Sequence, residues 1–67
     1  MIVLDTYKVG KYTALILSDN LPQKAFNKIV VDGTEYTVEP VYDMDNEVAV
    51  FANNDSDFKG KNVSFII

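Results

Sequence analysis

Short runs of β-branched and aromatic residues, separated by turn-forming residues, dominate the chain. The runs recur about every 8–12 residues, a spacing typical of small barrels and sandwiches. No window keeps apolar residues at helical spacing for three turns. The pattern predicts an all-β domain with at most one short helical turn, near residues 22–26, where a proline follows Ser, Asp and Asn. The predicted strands are residues 2–7, 12–18, 27–31, 34–42, 47–52 and 62–67.

The first two apolar runs predict a hairpin that reverses near Gly10. Glycine adopts the positive φ of a tight reversal without steric cost. Placing Val9 and Gly10 in a two-residue loop sets Tyr7 opposite Tyr12. Apolar residues then occupy both faces of the hairpin, which indicates burial on two sides and favours a barrel.

The clearest unit is a hairpin around Asp32-Gly33. Asp-Gly between two β-rich runs is a strong hairpin signal, because both residues tolerate positive φ. In the second arm, apolar and polar residues alternate with the period of a half-buried strand. Pro40 lacks the N–H that a sheet ladder requires, so it indicates an edge or a bend.

Five to six strands in sequential hairpins predict a small antiparallel barrel, closed or nearly closed. Its general shape would be similar to SH3-like barrels or to the second-domain barrels of translation factors. This is a similarity of architecture alone, and such folds carry unrelated functions. No linker, repeat or low-complexity tract interrupts the chain, so residues 1–67 are expected to form a single domain.

The residue composition argues against an enzyme. The chain has no cysteine and no histidine, which removes disulfides, the usual zinc ligands and the usual base for a nucleophilic serine. Two strand-face carboxylates, Glu35 and Glu39, lie about 13 Å apart along an extended strand, too far apart to act on one bond. We therefore expect no catalysis and no cofactor.

The charge balance narrows the range of partners. Six lysines, no arginine and ten acidic residues give a net charge of −4. Nucleic acids and anionic membranes attract cationic surfaces, so direct binding to either is disfavoured. No apolar run approaches the roughly 20 residues of a membrane span, and the first residues do not resemble a signal peptide. A cytoplasmic protein is predicted, from a bacterium, a phage or another mobile element.

Two acidic loops, residues 43–47 and 53–57, are candidate cation or small-ligand sites. Both place carboxylate and amide oxygens at short spacing, as hard cations such as Ca²⁺ prefer. Asp and Asn are equally the residues that build tight turns, so we expect no metal site. The candidate ligands are Asp43, Asp45, Asp55 and Asp57.

The tyrosines are the candidate partner-binding residues, because tyrosine is enriched in protein interfaces. In so small a protein, large aromatics also serve as core, and the two roles remain open here. Tyr7 and Tyr12 are the stronger pair, since the hairpin sets them side by side. The four candidates are Tyr7, Tyr12, Tyr36 and Tyr42.

These features favour a non-enzymatic module for protein–protein interaction, with a regulatory or accessory role. Two alternatives stay open: an acidic decoy that occupies the nucleic-acid-binding surface of a partner protein, and a ligand-binding barrel that uses the acidic loops. The apolar run at 63–67 can also add to a neighbouring chain through an exposed strand edge. We therefore expect a monomer or a weak homodimer.

Overall fold

The computed structural model describes residues 1–51 and 57–67. Six antiparallel strands form one sheet in the order β1-β2-β5-β4-β3-β6, which confirms the all-β prediction and the strand count. In the described ranges there is no helix, at residues 22–26 or elsewhere, and so none long and apolar enough to span a membrane. The strands are β1 Val3–Val9, β2 Tyr12–Leu17, β3 Lys28–Val31, β4 Thr34–Pro40, β5 Glu47–Val50 and β6 Val63–Ile66.

The order of the strands differs from a series of sequential hairpins, so that part of the prediction is wrong. β2 pairs with β5 instead of β3, and β3 pairs with β6. The segment between β2 and β3 carries the chain across the sheet and leaves the position beside β2 to β5. Val48 and Val50 of β5 are buried there in the core, which accounts for the central place of this short strand.

The sheet is not closed, so a barrel is not confirmed. The edge strands β1 and β6 meet at one isolated antiparallel bridge, between Ile2 and Asn62. The Val3 N–H also donates to the Lys61 carbonyl at 3.0 Å. Because this bridge precedes the first residue of both strands, β1 and β6 extend away from each other and form no continuous ladder.

The first hairpin closes around Gly10 and Lys11, so its loop lies one residue farther along than predicted and the strand pairing shifts by two. Val9 pairs with Tyr12, and Tyr7 pairs with Ala14. Gly10 has a φ of 59° at the first loop position, as type II′ hairpins require. The predicted pairing of Tyr7 with Tyr12 is therefore wrong, but a shift of two residues keeps both tyrosines on the same face.

The second hairpin has the predicted loop. Asp32 and Gly33 have φ values of 51° and 83°, and the flanking residues Val31 and Thr34 pair. The sequence predicts an edge or a bend at Pro40; β4 lies inside the sheet, so the edge is wrong. Pro40 is instead the last residue of β4, beyond the part of the strand that pairs with β3, where no N–H is needed.

The core lies on one side of the sheet and includes residues of all six strands. Leu15 and Leu17 of β2 and Ile29 of β3 are fully buried there. Full burial of one such side chain stabilises the fold by about 1.5–3 kcal/mol. The buried cluster consists of Val3, Leu15, Leu17, Ile29, Val31, Val38, Val48, Val50, Phe58 and Val63.

Candidate functional site

The side of strands β1, β2, β5 and β4 that faces away from the core carries a second group of apolar side chains. Tyr7, Ala14, Ala49 and Glu39 align across these four strands in one row. Since side chains alternate along a strand, this row faces away from Leu15 and the core. We call the apolar residues of this side the outer apolar face: Tyr7, Val9, Tyr12, Ala14, Val41, Ala49 and Phe51.

The centre of the outer apolar face is a depression with a floor of small side chains. Ala14 and Ala49 are paired neighbours on β2 and β5. Two adjoining open grooves, of about 320 and 220 Å³, share Tyr12, Glu39 and Ala49 among their lining residues. The larger side chains around the two alanines form the walls, so the face can receive a side chain from another molecule.

Two aromatic rings form one wall. Tyr12 and Phe51 pack edge to face, with ring centroids 5.3 Å apart and planes at 67°. Phe51 is nevertheless 60% exposed, and Val9, which pairs with Tyr12, is 51% exposed. Large apolar side chains grouped at this exposure are typical of interaction surfaces.

Tyr7 forms a further wall, at the β1 end of the row, and a buried carboxylate holds it in place. Its hydroxyl donates a hydrogen bond of 2.5 Å to Glu47 Oε1, on β5. The tyrosine therefore reaches across the intervening strand β2, over the small side chain of its partner Ala14. Glu47 is only 5% exposed. The hydrogen bond to Glu47, together with burial and the Glu47 charge, raises the pKa of Tyr7 above its ordinary value.

Glu39 is the exposed carboxylate of the depression. It is paired with Ala49 and borders both grooves. Within residues 1–51 and 57–67, no ion pair or side-chain hydrogen bond engages it. Glu35, on the same side of β4, lies 3.6 Å from the Lys28 ammonium. Glu39 thus differs from its neighbour in having apolar surroundings and no cation.

The structure brings two of the four candidate tyrosines together. Tyr7 and Tyr12 share the outer apolar face, while Tyr36 packs at the margin of the core, its ring centroid 5.1 Å from that of Phe58. Tyr42 lies past the end of β4 and is 88% exposed. The binding role of these tyrosines stays a prediction.

The two acidic loops are the candidate cation sites, and that role stays a prediction. In the part of the chain that the structure describes, no three carboxylates converge in a way that could hold a metal ion. Asp43 and Asp45 are exposed in their turn, whereas Glu47 is turned to Tyr7. Asp57 is exposed, and Asp55 lies outside the described residues, as does most of the 53–57 loop.

Sequence reasoning missed four residues of this site: Ala14, Ala49, Phe51 and Glu39. Their proximity to one another depends on the pairing of β2 with β5, which no local turn signal indicates; the pairing of β5 with β4 follows the predicted series of hairpins. One signal was present. Alanine is depleted in strands, and two alanines in the middle of β-branched runs indicate a place where a large side chain would be in the way.

The two edge strands differ in how they are protected against further pairing. β1 has an irregular register at Leu4, and the Asp5 Oδ1 accepts the Thr6 N–H at 2.8 Å. Such bulges and self-bonded groups discourage the addition of a strand. β6 carries no charged residue and ends on exposed isoleucines, Ile66 and Ile67.

Comparison with known proteins gives no match: no family model matches the chain, and no significant similarity is found to a curated protein or to a solved structure. The function is therefore argued from the geometry of the outer apolar face and from the charge of the chain.

Proposed function

We propose that this chain is a non-enzymatic protein–protein interaction module, with an accessory or regulatory role, that binds its partner through the outer apolar face. The observation that carries the proposal is the depression over Ala14 and Ala49, walled by exposed Tyr7 and Phe51 and by half-buried Tyr12. Exposed apolar surface is unfavourable in water, so grouped aromatic side chains around a cavity support a role in binding.

Contacts within the chain hold the walls of the depression. The hydrogen bond to Glu47 holds Tyr7, and the edge-to-face contact holds Tyr12 against Phe51. Binding costs about 0.5–1.5 kcal/mol for each mobile side chain that becomes ordered, and a pre-ordered side chain avoids that cost. The face therefore suits a partner that inserts one apolar side chain over the two alanines.

A bacterial cytoplasm is the proposed setting, including that of a cell that carries a phage or another mobile element. The composition supports it, with six lysines and six asparagines but no arginine. Neither setting is required for the binding mechanism, which depends on the outer apolar face alone.

Affinity capture with matched variants tests the proposal. The wild type, Phe51→Ser and Ile66→Ser are used in parallel on a lysate of the source organism. Ile66 is a second exposed apolar residue, on the edge strand β6, away from β2 and β5 in the sheet. We expect one dominant protein to be retained by the wild type and Ile66→Ser and lost from Phe51→Ser. Loss from Ile66→Ser alone would instead assign binding to the β6 edge.

The net charge of −4 favours one alternative, the acidic decoy that covers a nucleic-acid-binding surface of its partner. The two functions differ in their response to salt. Charge-driven binding weakens strongly between low and moderate ionic strength, whereas an apolar interface is nearly insensitive to it. Retention of the captured protein through a high-salt wash therefore supports the interaction module, and its loss supports the decoy.

A further inference from the structure

We infer that the outer apolar face selects a partner segment that carries a lysine or arginine beside an apolar residue, and that Glu39 receives the cation. The inference rests on the proposed function and adds the chemistry of the partner to it. It follows from the position of Glu39, the state of the other charges on β4 and the aromatic wall of the depression.

The position of Glu39 favours contact with the charged end of a bound side chain. Glu39 stands in the same row as Ala49, Ala14 and Tyr7, at the end of the depression opposite Tyr7. A lysine or arginine side chain has an aliphatic stem that packs on apolar surface while its charged end stays at the rim. A stem that lies over the two alanines brings its charge to the Glu39 carboxylate.

The charged residues of β4 favour a positively charged partner. Of the two outward carboxylates on β4, Glu35 has its own cation, Lys28, and Glu39 has none in the described part of the chain. Lys8, on the edge strand β1, is held on the core side of the first hairpin, where its ammonium donates to Thr13 Oγ1 at 3.2 Å. Glu39 is thus the one charged residue among the described residues that line the two grooves, and a segment with one positive charge beside an apolar group is complementary to them.

The aromatic wall of the depression also favours a cation. A cation within about 6 Å of a tyrosine or phenylalanine ring is attracted by the electrons of the ring face. Tyr12 borders both grooves together with Glu39, and Phe51 borders the larger groove with them. The Glu39 carboxylate and the aromatic rings around the depression thus both favour a cationic ligand.

A displayed library of random 12-residue peptides tests the inference, with the folded protein as bait. Peptides enriched on the wild type are measured again on three variants. Glu39→Gln removes the proposed charge, and Glu35→Gln removes a charge from the same side of the same strand but outside the depression. Phe51→Ser removes the aromatic wall. Unfolding midpoints of all four proteins are recorded first, so that a loss of binding is not a loss of fold.

The inference predicts that enriched peptides share a lysine or arginine next to an apolar residue. Their binding should weaken about fivefold in Glu39→Gln, as expected for a charge pair at an interface rim, and stay unchanged in Glu35→Gln. Enriched peptides without a cation, or equal binding to Glu39→Gln, would overturn the inference. If Phe51→Ser still abolished binding in that case, the proposed function would stand. A library that yields no binder, or binders that tolerate Phe51→Ser, would overturn both.

Discussion

The Tyr7 hydroxyl lies 2.5 Å from the Glu47 carboxylate and joins the edge strand β1 to β5 across β2. The contact satisfies a carboxylate that is almost fully buried and fixes one wall of the depression. It links the stability of the sheet to the shape of the proposed binding surface, because the same side chain serves both.

Tyr7→Phe is expected to lower the urea midpoint of unfolding. The substitution keeps the ring but leaves the Glu47 carboxylate without its donor, and an unsatisfied buried polar group is costly. Tyr36→Phe is the matched control, since the Tyr36 ring packs against Phe58 and its hydroxyl has no hydrogen bond in the described ranges. Equal midpoints for the two variants would show that the Tyr7–Glu47 contact does not stabilise the fold.

The same contact predicts a change of stability in alkaline solution. The hydrogen bond to Glu47 is the main cause of the raised Tyr7 pKa, so the folded state holds the phenolic proton more tightly than the unfolded state does. This stabilisation is complete below the ordinary tyrosine value of 10.0 and is lost as pH rises through the higher folded-state pKa. Urea titrations from neutral pH to above this value should show a steeper loss in the wild type than in Tyr7→Phe. An equal loss of stability with pH in the two proteins would show that Tyr7 is not the group responsible.

Core and outer apolar face should respond differently to truncation. Leu15→Ala removes a fully buried side chain and is expected to cost about 2–5 kcal/mol, a large fraction of the stability of a small domain. Phe51→Ser loses mainly its edge contact with Tyr12 and should cost about 1 kcal/mol. Thermal unfolding followed by circular dichroism compares the stabilities of the two variants. A Phe51→Ser variant as unstable as Leu15→Ala would assign Phe51 to the core.

The second hairpin offers a test of backbone strain alone. Gly33 has a φ of 83°, and no atom lies within 4 Å of the position that a Cβ would occupy. Gly33→Ala is therefore expected to destabilise the fold by about 1–2 kcal/mol through the left-handed conformation, without any clash. Gly33→Asn should cost less, because asparagine tolerates this region better. Chemical denaturation of the wild type and the two variants gives their order of stability. An alanine variant as stable as the wild type would refute the predicted backbone strain.

Calcium is expected to leave the melting temperature unchanged at millimolar concentration. Glu47 is engaged by Tyr7, and Asp43 and Asp45 have no third carboxylate beside them in the described residues. A ligand that binds the folded state raises its melting temperature. A clear upward shift that Asp43→Asn removes would restore the 43–47 loop as a cation site.

Local signals predicted the strands and one hairpin well, because turn chemistry and alternation act over a few residues. Asp32-Gly33 is the clearest case, since its two positive φ values are intrinsic to those residue types. The register at Gly10 was missed by two residues, because glycine suits either loop position and the sequence does not distinguish them. The order of the strands was missed for a different reason: the pairing of β2 with β5 is decided by burial of the whole sheet.

The candidate site was predictable only in part for the same reason. Tyr7 and Tyr12 lie on neighbouring strands of one hairpin, so their shared face followed from the local pattern. Phe51 and Glu39 join them through the non-local pairing of β2 with β5 and the hairpin pairing of β5 with β4. Tyr36 could not be separated from the other tyrosines by sequence, because its burial depends on the position of Phe58.

The most direct test of the central claim is site-specific photo-crosslinking. A photoreactive phenylalanine analogue is placed at position 51, on the outer apolar face, or at position 66, on the edge strand β6. Each protein is irradiated in a lysate of the source organism. Binding through the outer apolar face predicts one crosslinked protein from position 51 and none from position 66. A crosslink from position 66 alone, or none from position 51, would contradict it.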